Sequence, residues 1–247
     1  MSVAQILPVL CVFLLAGAVK GVTGMGLPTV AMSLLGLWMM PAQAAALLVV
    51  PALATNIAQC RGPQLGALIA RLWPGLTGLA ALTVLAPGLG SAGQAEATGR
   101  WLGAILIAYG LLGLWRPILP DLSGRGRWLS APIGAATGAV TALTAVFALP
   151  WVPYLQTLRL DKDAMVQALG LSFTVATLAL AARLQLSARV GTVEMPDAFA
   201  VFGALVGAFA GLWLGALLRG RLGGAAFQKA LFMVFIVLGA ANLLRPD

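Results

Sequence analysis

The sequence predicts an all-α integral membrane protein with about 8–10 transmembrane or re-entrant helices. Three observations predict this fold class. First, 61% of the 247 residues are hydrophobic and only 9% are charged, whereas a soluble domain carries about 25% charged residues. Second, the apolar residues run in long continuous stretches, which is typical of membrane helices and not of barrel strands. Third, a glycine- and threonine-rich interruption of an apolar stretch occurs once in each half of the chain.

Apolar segments follow one another along the chain, and most approach the ~20 residues that cross a bilayer. They lie at 3–20, 25–39, 42–60, 65–89, 99–116, 128–149, 164–182, 197–218 and 226–244. The longest basic connector, RPILPDLSGRGR at 116–127, lies at the midpoint, and RLQLSARVGTVEMPD at 183–197 is a further polar connector. We therefore divide one integral membrane domain into a first membrane repeat at 1–120 and a second at 121–247.

The two interruptions indicate an internal repeat. GAVKGVTGMGLP at 17–28 begins like GAATG at 134–138. Each opens a stretch rich in Gly, Thr and Pro, and a short apolar run, a polar break and a helix with mid-span polar residues follow. Broken apolar segments in matching positions are typical of secondary transporters. Chance likeness between Gly-rich apolar sequences is the alternative.

The basic residues decide between two topologies. If 3–39 and 128–157 each cross the membrane once, the loop cations divide eight to six between the two sides. If each is a hairpin that returns to its own side, they divide ten to four, which is a positive-inside signal. Each repeat then consists of a broken hairpin plus three spans, so the repeats have inverted topology. Both termini are predicted on the non-cytoplasmic side, and the hairpin tips at 20–28 and 141–150.

The chemically active residue types exclude several function classes. The chain has no histidine and only 2 cysteines, so we expect no metal centre and no disulfide framework. All carboxylates lie in predicted loops or at the terminus, which disfavours a carboxylate proton relay and an enzyme. There is no Walker-type loop. The net charge of +8 reflects an excess of Lys and Arg in cytoplasmic loops. We expect no cofactor and no nucleic-acid partner.

Lys20 is a cation inside the first interruption. A charge near the bilayer centre costs about 2.5–3.5 kcal/mol on insertion scales. Lys20 either snorkels to the interface or holds an anion, because no buried acid can pair with it. Gly24 and Gly26 could turn backbone N–H groups toward such a ligand, and a helix restarting near Pro28 would point its positive end at the site. Close helix packing is the alternative role of the glycines.

Hydroxyl and amide side chains in the breaks, and on the helices that follow them, can donate to an oxyanion without carrying charge. The alternative for each is a helix–helix hydrogen bond. The predicted substrate-binding residues are Lys20, Thr23, Gly24, Gly26, Asn56, Thr137, Thr141, Thr144, Ser172 and Thr174.

Both halves resemble the TauE/SafE family of membrane transporters. GAVKGVTGMGLPTVAMSLLGL and PAQAAALLVVPALATN resemble its first half, and GAATGAVTALTAVFALPWVPYLQTLRLDKDAMVQALGLSFTVATLALA resembles its second half. The resemblance implies a small polytopic inner-membrane protein that moves sulfite, sulfonates or related anions, often as an exporter. The family's usual GxGGG pattern is reduced to Gly24-Met25-Gly26-Leu27-Pro28 here and is missing from the second break.

Together these features predict a secondary transporter or facilitator for small anions in the plasma membrane, with its site at the midplane between the two hairpins. The expected partners are a small anionic substrate and the lipid bilayer, and a homodimer is left open. The alternative is a non-transporting membrane subunit of a larger complex. The particular anion, the direction of transport and the coupling ion are left open.

Overall fold

A computed structural model describes residues 3–91, 95–115, 119–222 and 224–244. The helices are α1 (Val3–Thr23), α2 (Leu27–Leu35), α3 (Pro41–Cys60), α4 (Leu65–Leu85), α5 (Ala95–Trp115), α6 (Ser130–Thr144), α7 (Trp151–Thr157), α8 (Lys162–Arg189), α9 (Ala198–Leu222) and α10 (Ala225–Leu243). Seven of them are long and apolar enough to span a membrane, and α2, α6 and α7 are shorter. The prediction of an all-α membrane protein is confirmed. The midpoint connector begins outside the described residues, and 119–126 is irregular.

The helix breaks lie at 24–26 and 145–150, inside both predicted tips. Gly24 and Gly26 end α1 by taking positive φ angles of 83° and 100°, which are open to glycine without steric cost. Pro28 then opens the first turn of α2, where its missing N–H breaks no helical bond. In the second break Ala145, with φ 55°, takes the left-handed conformation.

A threonine closes each tip with the same hydrogen bonds. Thr23 Oγ1 donates to the carbonyl four residues earlier (2.9 Å) and accepts the N–H two residues later (3.3 Å). Thr144 Oγ1 does the same, at 2.8 and 3.2 Å. This geometry pairs Thr23 with Thr144, and so aligns Gly17 with Gly138 rather than with Gly134. This alignment differs by one helical turn from the sequence match of Gly17 with Gly134, since Gly134 and Gly138 stand four residues apart.

Long helices from the two halves pack in pairs. α1 lies parallel to α9, since Gly17 approaches Ala208 and Gly21 approaches Gly215. α6 lies parallel to α4 in the same manner, with Gly134 against Gly75. Glycine at these crossings lets the backbones touch, which is the usual way in which membrane helices associate.

The remaining two pairs are antiparallel. On α3 and α8, Asn56 meets Thr177 and Cys60 meets Thr174. On α5 and α10, Gly103 approaches Gly239, and the two helices pack along their length. Every spanning helix is therefore paired with a helix from the other half.

The first broken segment returns to the side where it begins. Gln59, at the end of α3, donates to the Gly24 carbonyl (2.8 Å), so the first tip lies beside the end of α3. The 20-residue α3 is about 30 Å long, so its start at Pro41 lies on the opposite side from this tip. Residues 27–40 therefore run back across the protein.

Most basic connectors share one face, which we call the basic face and define by residues 61–64, 119–126 and 158–161. Gln64 donates to Asp161 across it (3.1 Å), and Arg71 donates to the Ser123 carbonyl (2.7 Å). The opposite face holds 86–91 and 190–197, joined by Thr192 Oγ1 donating to the Gly90 carbonyl (2.7 Å).

Helix α8 is longer than the sequence predicts. It begins after Asp161, whose carboxylate accepts the Ala164 N–H (2.8 Å), and this bond lowers the pKa of Asp161. It continues through 183–189, which polarity assigned to a connector. That assignment was wrong because Arg183 is turned inward and is only 5% exposed.

Arg183 caps the carboxyl end of α4. Its guanidinium group donates to the carbonyls of Thr83 and Val84 (both 3.3 Å), Ala86 and Leu89 (2.8 Å), and to Ser91 Oγ (3.0 Å). A cation here also opposes the negative end of the helix dipole. The interaction fixes the loop that contacts the second tip, where the Leu89 N–H donates to the Ala142 carbonyl (2.7 Å).

The α4–α6 crossing makes a first prediction. An alanine Cβ at Gly134 would stand 2.6 Å from the carbonyl carbon of Gly75, so Gly134→Ala must push the backbones apart. We expect a loss of about 1–3 kcal/mol, measured as a lower thermal midpoint in detergent. Gly66→Ala is the control, because a Cβ there meets open space and alanine favours helix. Equal midpoints for the two variants would contradict the close crossing.

The Arg183 cap makes a second prediction. Arg183→Met leaves several buried carbonyls without a donor, at about 1–3 kcal/mol for each group that finds no other partner. We expect a clear fall in thermal midpoint, whereas Arg189→Met, on the exposed end of the same helix, leaves it unchanged. If both variants kept the thermal midpoint of the parent, the Arg183 cap would not stabilise the fold.

Candidate functional site

A cavity of about 450 Å³ lies where the two breaks meet. The first break contributes Thr23 and Gly26, and the second contributes Leu149 and Pro150. α5, α7 and α10 supply the other walls, mostly with apolar side chains. The cavity thus depends on both halves of the chain.

The cavity extends toward the basic face. Its lining includes Leu119 and Gln156, next to the contact in which the Leu122 N–H donates to the Thr157 carbonyl (2.9 Å). Gln228, in the first turn of α10, also lines it. At its end nearest the basic face, the cavity is therefore lined by the amide side chains of Gln156 and Gln228.

A second cavity, with room for about one water molecule at 10 Å³, lies between the two tips. Met25, Gly26 and Thr29 line it from the first hairpin, and Phe147 and Ala148 line it from the second. Met25 and Gly26 also line the large cavity, so these residues separate the two spaces.

Lys20 is buried beside the first tip, with 1% of its surface exposed. Its ammonium group donates to Thr55 Oγ1 (3.0 Å) and to Asn56 Oδ1. Both partners are neutral, and no ion pair with a carboxylate of the described residues compensates its charge. This is not the position of a snorkelling lysine, whose ammonium group would reach the interface.

Hydrogen bonds connect Lys20 to the second half of the chain. Asn56 Nδ2 donates to Thr177 Oγ1 on α8 (3.4 Å), and Thr177 in turn donates to the Phe173 carbonyl (2.6 Å). The Phe173 ring lines the small cavity. The charge therefore lies in a polar network one layer behind the space between the tips.

The other predicted residues divide into two groups. Thr23 and Gly26 line the large cavity, and Gly24 contacts Gln59 through its carbonyl. The remaining hydroxyls donate to carbonyls of their own helices and line neither cavity: Thr137, Thr141, Thr144, Ser172 and Thr174. A binding role for this second group stays a prediction.

Sequence reasoning missed Tyr109 and Thr29. Tyr109 is a phenol in the middle of apolar α5 that lines both cavities, and Thr29 lies one turn after the first break. A tyrosine within a span was the available signal, but only the fold shows that α5 passes the tips. Among the described residues, no group of His, Cys, Asp and Glu is arranged to hold a metal ion.

Comparison with known families gives one match. The model of the family described as "Sulfite exporter TauE/SafE" matches residues 9–242. Searches of curated proteins and of solved structures gave no significant match. The family match spans nearly the whole chain, including both broken segments, and confirms the resemblance found in the sequence. The chain therefore belongs to the TauE/SafE family of sulfite exporters, which are membrane transporters.

Proposed function

We propose that this protein is a secondary transporter or facilitator that moves sulfite, sulfonates or related organic anions across the plasma membrane, along a path between the two helix breaks. One observation carries the proposal. A cavity of about 450 Å³, walled by residues of both breaks, lies next to a tip that holds a buried lysine with no acidic partner among the described residues.

The electrostatics favour an anion over a cation or a neutral solute. Taking an ammonium group out of water costs several kcal/mol, and an opposite charge offsets that cost better than neutral oxygens do. Within the part of the chain that the structure describes, Lys20 has only Thr55 and Asn56 as acceptors, so its positive potential extends into the neighbouring cavities. An anion between the tips would gain from this potential.

The helix pairing supports two inverted repeats, at 1–120 and 121–247. A two-fold axis in the membrane plane requires the α1–α9 contact to recur as α6–α4, and requires α3–α8 and α5–α10 to be antiparallel. The contacts have this pattern. Transporters built in this way expose a midplane site to each side in turn. The cavity extends toward the basic face, which would correspond to an inward-facing state with that face in the cytoplasm.

The orientation makes a testable prediction. In a chain whose two cysteines, Cys11 and Cys60, are replaced by alanine, Arg125→Cys reports on the basic face and Met195→Cys on the other. An impermeant maleimide should label the Met195→Cys variant in intact cells, and the Arg125→Cys variant only after the cells are opened, because basic loops stay cytoplasmic. The reverse pattern would invert the proposed topology.

Lys20 provides the direct test of anion binding. A unit charge within about 10 Å of an anion is worth about 1–2 kcal/mol at an effective dielectric constant of about 20. Lys20→Met should therefore weaken the apparent affinity for the transported anion by roughly tenfold. The measurement is anion flux into proteoliposomes as a function of anion concentration.

Lys162→Met is the matched control. It makes the same chemical change at an exposed position, at the start of α8, and should transport like the parent. An unaltered anion affinity in the Lys20→Met variant would show that Lys20 does not contribute to anion binding. A parent protein that moves no sulfite, sulfonate or carboxylate under any gradient would contradict transport itself.

A further inference from the structure

We propose that the transported anion is an organic one with an apolar body, and that its charged group binds at the small cavity to the Tyr109 hydroxyl, the Thr29 hydroxyl and the amino end of α2. The inference rests on the proposed transport function and specifies its substrate class. Neutral donors hold the charged group, and the large cavity encloses the rest of the molecule.

The amino end of α2 offers free donors to the small cavity. Gly26 at the N-cap has no side chain to cap this end, and no other side chain of the described residues is bonded there. The first helical hydrogen bond runs from the Val30 N–H to the Gly26 carbonyl (2.9 Å). The N–H groups of Leu27 and Thr29 are thus left without a helical partner, and Pro28 has none. Such an end attracts anions through its N–H groups and through the helix dipole.

Thr29 adds an independent sign of a ligand. Its side chain is 2% exposed and lines the small cavity. Its hydroxyl makes no hydrogen bond to any residue that the structure describes, unlike Thr23 and Thr144, which bond within their own tips. A hydroxyl that borders a cavity and has no partner among these residues is available to donate to a ligand or accept from it.

Tyr109 lies between the two cavities, and its hydroxyl has a weak hydrogen-bond acceptor. The residue is 9% exposed, and its hydroxyl approaches Met25 Sδ at 3.8 Å. A thioether is a weak acceptor, whereas a sulfonate or carboxylate oxygen is a strong one. Met25 is flexible and lines both cavities, so a rotamer change would join the two spaces and free the phenol for the anion.

The large cavity indicates what is attached to the charged group. Among the residues that the structure describes, no Lys, Arg, Asp or Glu lines it, and its walls include Leu112, Val152, Leu231 and Phe232. A volume of about 450 Å³ lies in the range of organic-ligand sites, which are mostly apolar with a few placed polar groups. Sulfite has no apolar part to bury in this space, so the cavity favours a longer anion.

A chain-length series tests the inference. The parent protein is reconstituted in proteoliposomes, and transport affinity is measured for methanesulfonate, butanesulfonate, hexanesulfonate and sulfite. Each buried methylene should improve affinity by roughly fourfold, with sulfite the weakest. Tyr109→Phe and Thr29→Val should each weaken hexanesulfonate affinity by roughly tenfold or more.

Tyr154→Phe is the matched control, since Tyr154 is buried but lines neither cavity. It should keep parental affinity, and all variants should keep the parental thermal midpoint without ligand. 1-Hexanol tests whether the anionic group matters, and it should compete at least tenfold more weakly than hexanesulfonate by this account.

The outcomes separate this inference from the transport function. Sulfite transport without chain-length dependence, or an unchanged Tyr109→Phe variant, overturns the inference and leaves anion transport standing. Competition by 1-hexanol as strong as that by hexanesulfonate also overturns it, and makes the cavity a site for lipid chains. If no anion is transported, the proposed function fails and the inference fails with it.

Discussion

The structure depends on one constraint: a helix interrupted inside a membrane must find partners for its freed backbone groups. At the first tip, the Gly24 carbonyl accepts from Gln59 and the Gly21 carbonyl accepts from Arg219 at 2.8 and 3.0 Å. At the second tip, the Ala142 carbonyl accepts the Leu89 N–H. Each tip is thus hydrogen-bonded to a helix or loop outside its own hairpin. The two helix breaks therefore depend on the positions of the surrounding helices.

Close packing of the helices brings the donors and acceptors of these bonds within hydrogen-bonding distance. Glycines at the α1–α9 and α4–α6 crossings let backbones touch, which brings Arg219 to α1 and the 86–91 loop to α6. The amino end of α2 is an exception, because its first N–H groups have no helical acceptor and no side-chain cap among the described residues. This end faces the small cavity. The carbonyls of Gly21, Gly24 and Ala142 therefore have partners outside their own hairpins, and free donors lie where we propose that an anion binds.

The sequence predicted the parts of this structure that depend on local chemistry. The length and apolarity of the helices and the positions of both breaks follow from residues near one another in the chain, whereas the burial of Lys20, which the sequence left open, depends on α3. The hydrogen bonds of the two tips align Gly17 with Gly138, one turn away from the sequence match, because Gly134 and Gly138 both resemble Gly17. Arg183 was assigned to a connector because its partners lie about a hundred residues away, on α4. Tyr109 and Thr29 were missed for the same reason, since only tertiary packing shows that they share a cavity.

The central claim is that an organic anion binds between the two tips. An experimental structure with 4-iodobenzenesulfonate would test it most directly, because iodine can be located by its anomalous scattering. The account predicts iodine in the large cavity beside Leu112 and Val152, with the sulfonate near Tyr109, Thr29 and Gly26. Iodine only at the lipid-facing surface, or an empty space between the tips at saturating ligand, would contradict it.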